Sequence, residues 1–293
     1  MSSAGENENL GKTLPTGAGE AASRAEGAFP PGGGGPRNGK KSSGPPPLEA
    51  EDLTVAYDDN PPLLEHVTFT AEKGEILGIL GPSGCGKSSL LRHLLGLEPL
   101  RAGKVKICGE DIFREGEASL NRARRKFGVM YQSGALFGDL NLLENVAMPL
   151  IEYTNLEPDL ILAAATLKLS LVGLAGSGHL SPAEISGGMR KRAAIARALA
   201  LEPELLFLDE PGAGLDPVTA RELDRLIVTL ARGLDVSFVV VTHELRSIMR
   251  VVDRAILLDK TVRGIADSGT PQYLSRESTS PGAAAFFLRD ESD

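Results

Sequence analysis

Two spacings of apolar residues divide this chain into predicted strands and helices. Leu53–Tyr57 and Val67–Ala71 alternate apolar and polar residues, which is typical of strands with one buried face. Asp58–Pro62 lies between them and is rich in turn-forming residues, so the two strands are predicted to be antiparallel. Another β ribbon is predicted at Gly103–Gly109. We therefore expect an antiparallel β layer at the start of the folded part.

Later strands are apolar on both faces. Leu205–Leu208, Phe238–Val241 and Ala255–Leu258 are short apolar runs that alternate with helical patterns. Such runs belong to a parallel sheet that is covered on both sides. Between the two β regions, residues 141–201 are predicted to be mainly helical. Apolar side chains recur there at helical spacing, at Leu160, Ile161, Ala164, Leu167, Leu171 and Val172. The pattern predicts an α/β core with an antiparallel β subdomain and a helical subdomain at about residues 134–200.

Residues 1–47 differ from the rest in composition. They are rich in Gly, Pro, Ser, Ala and Glu and include the runs Pro30–Pro36 and Pro45–Pro47. Such a segment buries too little apolar area to offset the entropy lost when it becomes ordered. We interpret it as a disordered tail, either inert or with a weak regulatory or membrane-surface role, and expect the folded part to begin near Leu48.

Composition and charge exclude several classes of protein. The chain has 293 residues, a formal net charge of −8 and a pI of about 5.2, whereas nucleic-acid-binding proteins are usually basic. Its two cysteines, Cys85 and Cys108, cannot build a disulfide framework and indicate a reducing compartment. No apolar run reaches the ~20 residues that cross a bilayer, and no signal peptide is recognisable. A role at a membrane would therefore need a partner that carries the chain there.

One glycine-rich segment has the spacing of a phosphate-binding loop. Gly81–Ser89 follows the apolar run Ile76–Leu80 and leads into a helical pattern. Its glycines let backbone N–H groups converge on a phosphate, and the helix start adds the positive end of a dipole. Lys87 can reach the β- and γ-phosphates, and the hydroxyl of Ser88 can bind Mg²⁺. A chance glycine-rich turn is the alternative. The residues predicted to bind nucleotide here are Gly81, Pro82, Ser83, Gly84, Cys85, Gly86, Lys87, Ser88 and Ser89.

Acidic residues and a histidine follow two of the apolar strands. Asp209 and Glu210 end the run that starts at Leu205, and His243 comes just after Phe238–Val241. In P-loop proteins an aspartate in this place holds the Mg²⁺ shell, and the neighbouring glutamate can polarise the attacking water. Parallel strands end at one edge of their sheet, where ligands bind. We therefore expect Asp209, Glu210 and His243 to converge on the γ-phosphate.

A second predicted anion-binding helix start lies between these motifs. Ser186, Gly187 and Gly188 precede an Ala-rich helical pattern that extends to Ala200. Serine is a favourable N-cap, and the glycines leave the first amides accessible to an anion. A simple helix cap is the alternative, but the order of the motifs favours a phosphate contact.

Together these motifs resemble the ATP-binding cassette (ABC) superfamily over about residues 48–270, which leaves 271–293 as a C-terminal extension. The resemblance implies a P-loop ATPase fold and ATP hydrolysis with Mg²⁺. It further implies that Tyr57 stacks on adenine, that Gln132 senses Mg²⁺ and a membrane partner, and that Asp216 lies in a dimer-contact loop. Asp216 also suits an N-cap. The residues implied to be catalytic are Glu210, His243, Gln132 and Lys87. Those implied to bind the metal are Ser88, Gln132 and Asp209.

Local motifs narrow the resemblance. Ile185 and Met189 replace the Leu and Gln that usually flank the family's Ser-Gly-Gly signature. Gly187–Ala198, with Tyr131–Phe137 and Pro211–Pro217, is similar to the ATPases of Mla-type, MCE-linked phospholipid transporters. This similarity implies lipid transport between inner and outer membranes. The alternatives are a transporter ATPase for amino acids, metals, lipoproteins or drugs, or a nucleic-acid-associated ABC ATPase, which the acidic pI disfavours.

The resemblance also implies partners. Each chain would supply half of each site, so two copies would pair head to tail, with the Ser186 helix start of one copy on the nucleotide of the other. The Gln132 loop and residues 134–180 would meet an integral-membrane permease at the cytoplasmic face of the inner membrane. An MCE-domain protein and a STAS-domain subunit are further implied partners. Leu136 and Phe137 would be either permease contacts or local core.

The carboxyl end is an apolar run, Ala283–Arg289, that follows Gly, Ser and Pro residues. Three interpretations of this run remain open. It can dock on its own domain, dock on a neighbouring copy, or fray.

Overall fold

The computed structural model describes residues 44–58 and 60–288. Its strands are β1 (Leu48–Val55), β2 (Leu64–Ala71), β3 (Ile76–Leu80), β4 (Ala102–Ile107), β5 (Glu110–Asp111), β6 (Phe127–Met130), β7 (Leu205–Asp209), β8 (Ser237–Val241), β9 (Arg254–Asp259) and β10 (Gly264–Gly269). Its helices are α1 (Lys87–Leu94), α2 (Glu117–Arg124), α3 (Leu142–Tyr153), α4 (Pro158–Leu171), α5 (Gly187–Ala198), α6 (Pro217–Gly233), α7 (Leu245–Val251), α8 (Pro271–Arg276) and α9 (Pro281–Phe287).

The first sheet is antiparallel, as the alternating pattern predicts. Its strands have the order β2-β1-β4-β5, and β1 pairs in an antiparallel way with both β2 and β4. β1 ends at Val55, two residues before the end predicted at Tyr57. The backbone N–H of Asn60 donates to the carbonyl of Tyr57 at 3.1 Å, which closes the predicted turn, although Asp59 lies outside the described residues. Tyr57 is therefore a loop residue.

The second sheet has the strand order β10-β9-β3-β8-β7-β6. The strands from β9 to β6 in this order are parallel to one another, whereas β10 pairs antiparallel with β9. Every residue of β3 and β8 is buried, as expected for a sheet covered on both faces. The apolar pattern did not identify β6, which has only four residues, or β10, whose sequence is mostly polar.

The parallel strands end together at one edge of the second sheet. Val241 of β8 pairs with Ile79 of β3 and with Asp209 of β7. Met130 of β6 pairs with Leu208 of β7. The ends of these four strands are therefore neighbours in space, and the phosphate loop, Gln132, Asp209, Glu210 and His243 lie at or just after them.

The helical subdomain contains α3, α4 and α5, and residues 172–186 between α4 and α5 are not helical. The buried face of α4 differs from the predicted one. Leu160 and Leu167 are each 56% exposed, whereas Ala165 and Leu169 are buried together with Ile161. Apolar residues lie on every side of α4, so their spacing could not identify the face that packs.

The C-terminal run docks on its own domain. Ala283 and Phe286 of α9 are buried in a cluster with Leu80, Ile248 and Leu257. Of the three interpretations of this run, the structure therefore favours docking within the chain. Arg289 and the tail up to residue 43 lie outside the described residues, and within the described part no helix is long and apolar enough to cross a bilayer.

Candidate functional site

The phosphate loop joins β3 to α1 through tight backbone turns. Gly81 has a φ of 147° and Gly86, the residue before α1, has a φ of 104°. A side chain at Gly81 would lie 2.5 Å from the carbonyl oxygen of Leu258, so only glycine fits there. Lys87 is buried, and its ammonium group donates to the carbonyls of Gly81 at 2.7 Å and Pro82 at 3.1 Å. The lysine therefore lies across the loop that is predicted to bind phosphate.

Tyr57 lies beside the helix that follows this loop. Its ring meets the ring of His93 on α1 edge to face, with 5.8 Å between the ring centres. Arg101 fixes the Tyr57 loop by donating to the carbonyls of Asp58 and Asn60, the latter at 2.9 Å. The structure therefore places the predicted adenine-stacking residue next to α1, and its contact with adenine stays a prediction.

β7 and β8 end side by side and bring two predicted catalytic residues together. Nδ1 of His243 and Oε1 of Glu210 are 2.7 Å apart, within hydrogen-bond distance. The side chain of Glu210 is 12% exposed and that of His243 is 54% exposed, so the histidine forms the outer half of the pair. The backbone of Glu210 is left-handed, with a φ of 46°, and its N–H donates to the carbonyl of Val241 at 2.8 Å. The predicted proximity of Glu210 and His243 is confirmed, and their roles stay predictions.

Two more carboxylates surround Glu210. Burial, and then the charge of Glu210, raise the pKa of Asp209, and the same causes raise the pKa of Glu244. Within the described part of the chain, Oδ1 of Asp209 and Oε2 of Glu210 are buried without a hydrogen-bond partner. Buried carboxylate oxygens that lack a donor suit a hard cation or its bound water. The buried Oδ1 of Asp209 is therefore compatible with a role as a Mg²⁺ ligand, and the Mg²⁺ site at Ser88, Gln132 and Asp209 stays a prediction.

We expect Asp209→Asn to stabilise the nucleotide-free protein at neutral pH. The folded chain holds the Asp209 proton more tightly than the unfolded chain does, so stability falls as pH rises from the ordinary aspartate pKa through the raised one. Asparagine does not ionise, so the variant does not lose stability in this pH range. Its melting temperature should be ~1–3 °C higher at pH 7, a modest rise because partial exposure screens the charge, and the gain should shrink as the solution is acidified.

Thermal melting without nucleotide or Mg²⁺, measured at pH 7 and at pH 4, tests this expectation. Asp139→Asn is the matched control, because Asp139 is exposed and lies outside the carboxylate cluster. An Asp209→Asn protein that melts at or below the unchanged protein at pH 7 would contradict the electrostatic argument.

α5 begins at the predicted signature residues. The hydroxyl of Ser186 caps the helix by accepting from the N–H of Met189 at 3.2 Å. A side chain at Gly188 would stand 2.4 Å from the methyl carbon of Thr219 on α6. Asp216 caps α6 through two backbone N–H groups, at 3.0 and 3.1 Å. Both predicted caps are confirmed, and the two helix starts lie against each other.

The loop after β6, residues 131–137, carries Gln132 on the surface. Arg197 of α5 donates to two carbonyls of this loop, at 2.7 and 3.0 Å, and its guanidinium lies 5.9 Å from the ring centre of Phe137. Leu136 packs against the core, whereas Phe137 is 49% exposed. The two interpretations of this apolar loop therefore apply to different residues: Leu136 is local core and Phe137 is a surface side chain.

Lys191 is a buried cation that the sequence pattern did not single out. Only 5% of the residue is exposed, and its ammonium group donates to the carbonyl of Gln132 and, at 3.1 Å, to that of Glu210. Burial lowers its pKa, and nearby carboxylates oppose that shift. In the sequence, a lysine between Arg190 and Arg192 looks like one of several solvent-exposed charges. Its burial is indicated only by its spacing from Ala194, Ile195 and Ala198, with which it shares one buried helix face.

Comparisons with known proteins give matches over most of the chain. A family model described as "ABC transporter" matches residues 64–213, about half of the chain. The chain is 37% identical to an intermembrane phospholipid transport system ATP-binding protein, MlaF, of Haemophilus influenzae over 247 residues, which are 84% of this chain and 91% of that protein. It is 42% identical to a probable ribonucleotide transport ATP-binding protein, mkl, of Mycobacterium tuberculosis over 211 residues, which are 72% of this chain and 58% of that protein.

A solved structure has the same fold. It is a dimeric ATP-binding cassette in a post-hydrolysis state, bound to ADP and Pi. The two chains are 28% identical and match with a TM-score of 0.69, over 76% of this chain and 98% of the other. The predicted fold class, an α/β P-loop core with an antiparallel β part and a helical part, is confirmed.

Proposed function

The chain belongs to the ABC transporter family as an ATP-hydrolysing subunit, and on this premise we propose that it powers phospholipid transport between the inner and outer membranes. The observation that carries the lipid assignment is the 37% identity to MlaF over 91% of that protein's length. The match to mkl covers only 58% of that protein, which makes ribonucleotides the weaker candidate cargo.

ATP binding follows from the family, and we assign this chain's residues as follows. Lys87 and the loop from Gly81 hold the β- and γ-phosphates, and Tyr57 stacks on adenine. Glu210 orients the attacking water and accepts its proton, while His243 holds the Glu210 carboxylate and steadies the γ-phosphate. The 2.7 Å contact between His243 and Glu210 supports this pairing.

We further propose that Mg²⁺ binds between the loop and β7. Ser88, Gln132 and Asp209 would hold the ion, and the buried Oδ1 of Asp209, which lacks a donor, supports this assignment. When bound, Mg²⁺ neutralises charge on the transferred phosphoryl group.

We propose a head-to-tail dimer in which Ser186, Gly187 and Gly188 of one copy contact the nucleotide of the other. Within the described residues, no hydrogen bond connects the start of α5 to the phosphate loop of its own chain. The backbone N–H groups of Gly187 and Gly188 belong to the first turn of α5 and have no partner inside the helix, so the nucleotide of a second copy can accept hydrogen bonds from them. The dimeric ABC cassette with the same fold supports the arrangement.

We place the dimer at the cytoplasmic face of the inner membrane, bound to an integral-membrane permease. The proposed contact includes Gln132, Phe137 and the helical subdomain. Its supports are the exposure of Phe137 and the exposed Leu160 and Leu167 of α4. An MCE-domain protein and a STAS-domain subunit are proposed as further members of the complex, and nucleic acid is not.

Reconstitution tests the proposed cargo. The chain is co-purified with its permease from its own cells and placed in proteoliposomes. ATP-dependent transfer of a fluorescent phospholipid is then measured beside uptake of a labelled ribonucleotide. We expect lipid transfer that requires ATP and is absent with Glu210→Gln. Ribonucleotide uptake without lipid transfer would overturn the lipid assignment while leaving the ATPase assignment intact.

Phe137→Asp should weaken permease binding while ATP binding is retained. A carboxylate at this surface position loses both the apolar contact and the stacking with Arg197. We expect co-purification of the permease to fall about tenfold or more, since a buried aromatic anchor often contributes that much. Val262→Asp, at a 58% exposed position in the β9–β10 turn, is the control. Equal permease recovery for both variants would remove Phe137 from the proposed contact.

A further inference from the structure

We propose that Lys191 is a positioning residue for hydrolysis, which fixes the backbone of Glu210 and of Gln132 at a single point. The proposal rests on the proposed function, because it assumes that Glu210 acts on the attacking water. Within the described residues, the ammonium group of Lys191 donates to the carbonyls of Gln132 and Glu210 and makes no hydrogen bond to the phosphate loop. Its effect on hydrolysis would therefore pass through the residues that it holds.

Glu210 needs such support because of its backbone conformation. A non-glycine residue with a φ of 46° is strained and persists only where its surroundings hold it. Its N–H donates to Val241 at 2.8 Å, and its carbonyl accepts from Ala213 at 3.2 Å and from Lys191 at 3.1 Å. Of these three hydrogen bonds, the one from Lys191 is made by a side chain, and its charged donor makes it stronger than a bond between neutral groups. The bond keeps Glu210 in the conformation in which its carboxylate meets His243.

The same ammonium group also holds the loop after β6. It donates to the carbonyl of Gln132, so one side chain of α5 connects the ends of β6 and β7. Ser186 is the N-cap of α5, so Lys191 connects the backbones of Gln132 and Glu210 to the helix whose start carries the signature residues. Five residues along a helix span ~7.5 Å, so Lys191 lies close behind that start.

Charge explains why a lysine occupies this place. An ammonium group is costly to bury unless opposite charge and acceptors surround it. The carboxylates of Asp209, Glu210 and Glu244 supply the opposite charge, and two backbone carbonyls supply the acceptors. An apolar side chain of equal length would fill the space but would leave both carbonyls without their charged donor.

Lys191→Met therefore tests the proposal, because it keeps the length and removes the charge and the donors. We expect kcat to fall about tenfold or more, since a small displacement of a catalytic group has effects of that size. KM for ATP should stay within about threefold, because the phosphate loop is unchanged. Lys191→Arg, which keeps the charge and the donors, should restore most of kcat. Lys168→Met is the matched control. Lys168 lies on α4 and is also buried, but its ammonium group pairs with the carboxylate of Glu202 at 3.0 Å.

A double-mutant cycle separates positioning from general damage. In the Glu210→Gln background, Lys191→Met should cause no further loss of the residual hydrolysis, because the group that it positions is already inactive. Losses that multiply instead would show that Lys191 does not act through Glu210 and would overturn the inference.

The proposal and the proposed function fail in different ways. If Glu210→Gln loses hydrolysis but folded Lys191→Met keeps kcat within about twofold, the positioning role is wrong and the ATPase assignment stands. If Glu210→Gln hydrolyses ATP at the unchanged rate, the assigned base is wrong, and the positioning role falls with it. Thermal melting checks folding, and if Lys191→Met does not fold, Lys191→Gln is judged by the same criterion.

Discussion

Glu210→Gln should lower ATP hydrolysis by ~10³-fold, the largest effect on activity that we expect of any single substitution. Glutamine keeps the size of the side chain but cannot accept a proton from water. The buried position of the carboxylate and its 2.7 Å contact with His243 support Glu210 as the base. Nucleotide binding should persist, because Lys87 and the loop glycines are unchanged. The variant should therefore accumulate as an ATP-loaded dimer.

Two measurements check this expectation. Phosphate release at saturating ATP and Mg²⁺ gives kcat, and light scattering with and without ATP gives the fraction of dimer. Glu152→Gln is the control, because Glu152 is exposed on α3. Hydrolysis at the unchanged rate would reject Glu210 as the base. A variant that is inactive but strictly monomeric with ATP would argue against the paired site and leave the base assignment in place.

Gly128→Ala should be the most destabilising small substitution in the core. Gly128 lies in β6, and a side chain there would stand 2.0 Å from the carbonyl oxygen of Ala198 at the end of α5. The atoms that the new methyl group would meet belong to the backbone of Ala198, which cannot move aside as a flexible side chain would. We expect a loss of about 3 kcal/mol in the free energy of unfolding, at the upper end of overpacking effects. In a chain of this size this corresponds to a fall of ~6–12 °C in melting temperature.

Thermal or urea unfolding measures the loss, with Gly138→Ala as the control. No atom lies within 4 Å of the methyl group that alanine would add at Gly138. If Gly128→Ala melted like this control, the close packing of β6 on α5 would be wrong. If it folded with reduced stability, its ATPase activity should fall as well, because β6 leads directly into the Gln132 loop.

The strand pattern predicted the architecture of the site better than its details. The runs Leu205–Leu208 and Phe238–Val241 are apolar on both faces, which fixes parallel buried strands, and topology then forces their ends together. The proximity of Glu210 and His243 could therefore be predicted without knowing any contact. Local caps at Ser186 and Asp216 were also predictable, because capping depends on residues close in sequence.

Features that depend on long-range packing were less accessible. The exposed side of α4 could not be identified, because Leu160 and Leu167 carry the same periodic signal as the buried residues. Lys191 was missed because a charged residue in a basic run is usually solvated, and its acceptors are backbone carbonyls far away in sequence. β6 was too short to stand out, although it places the loop that carries Gln132.

The docking of α9 has a consequence for the attachment of tags and fusion partners. Phe286 and Ala283 complete the apolar cluster that includes Leu80, the last residue before the phosphate loop. Displacing α9 would expose the apolar layer beneath this loop to water. A fusion partner attached directly after Phe286 should therefore lower nucleotide retention more than one placed beyond a spacer.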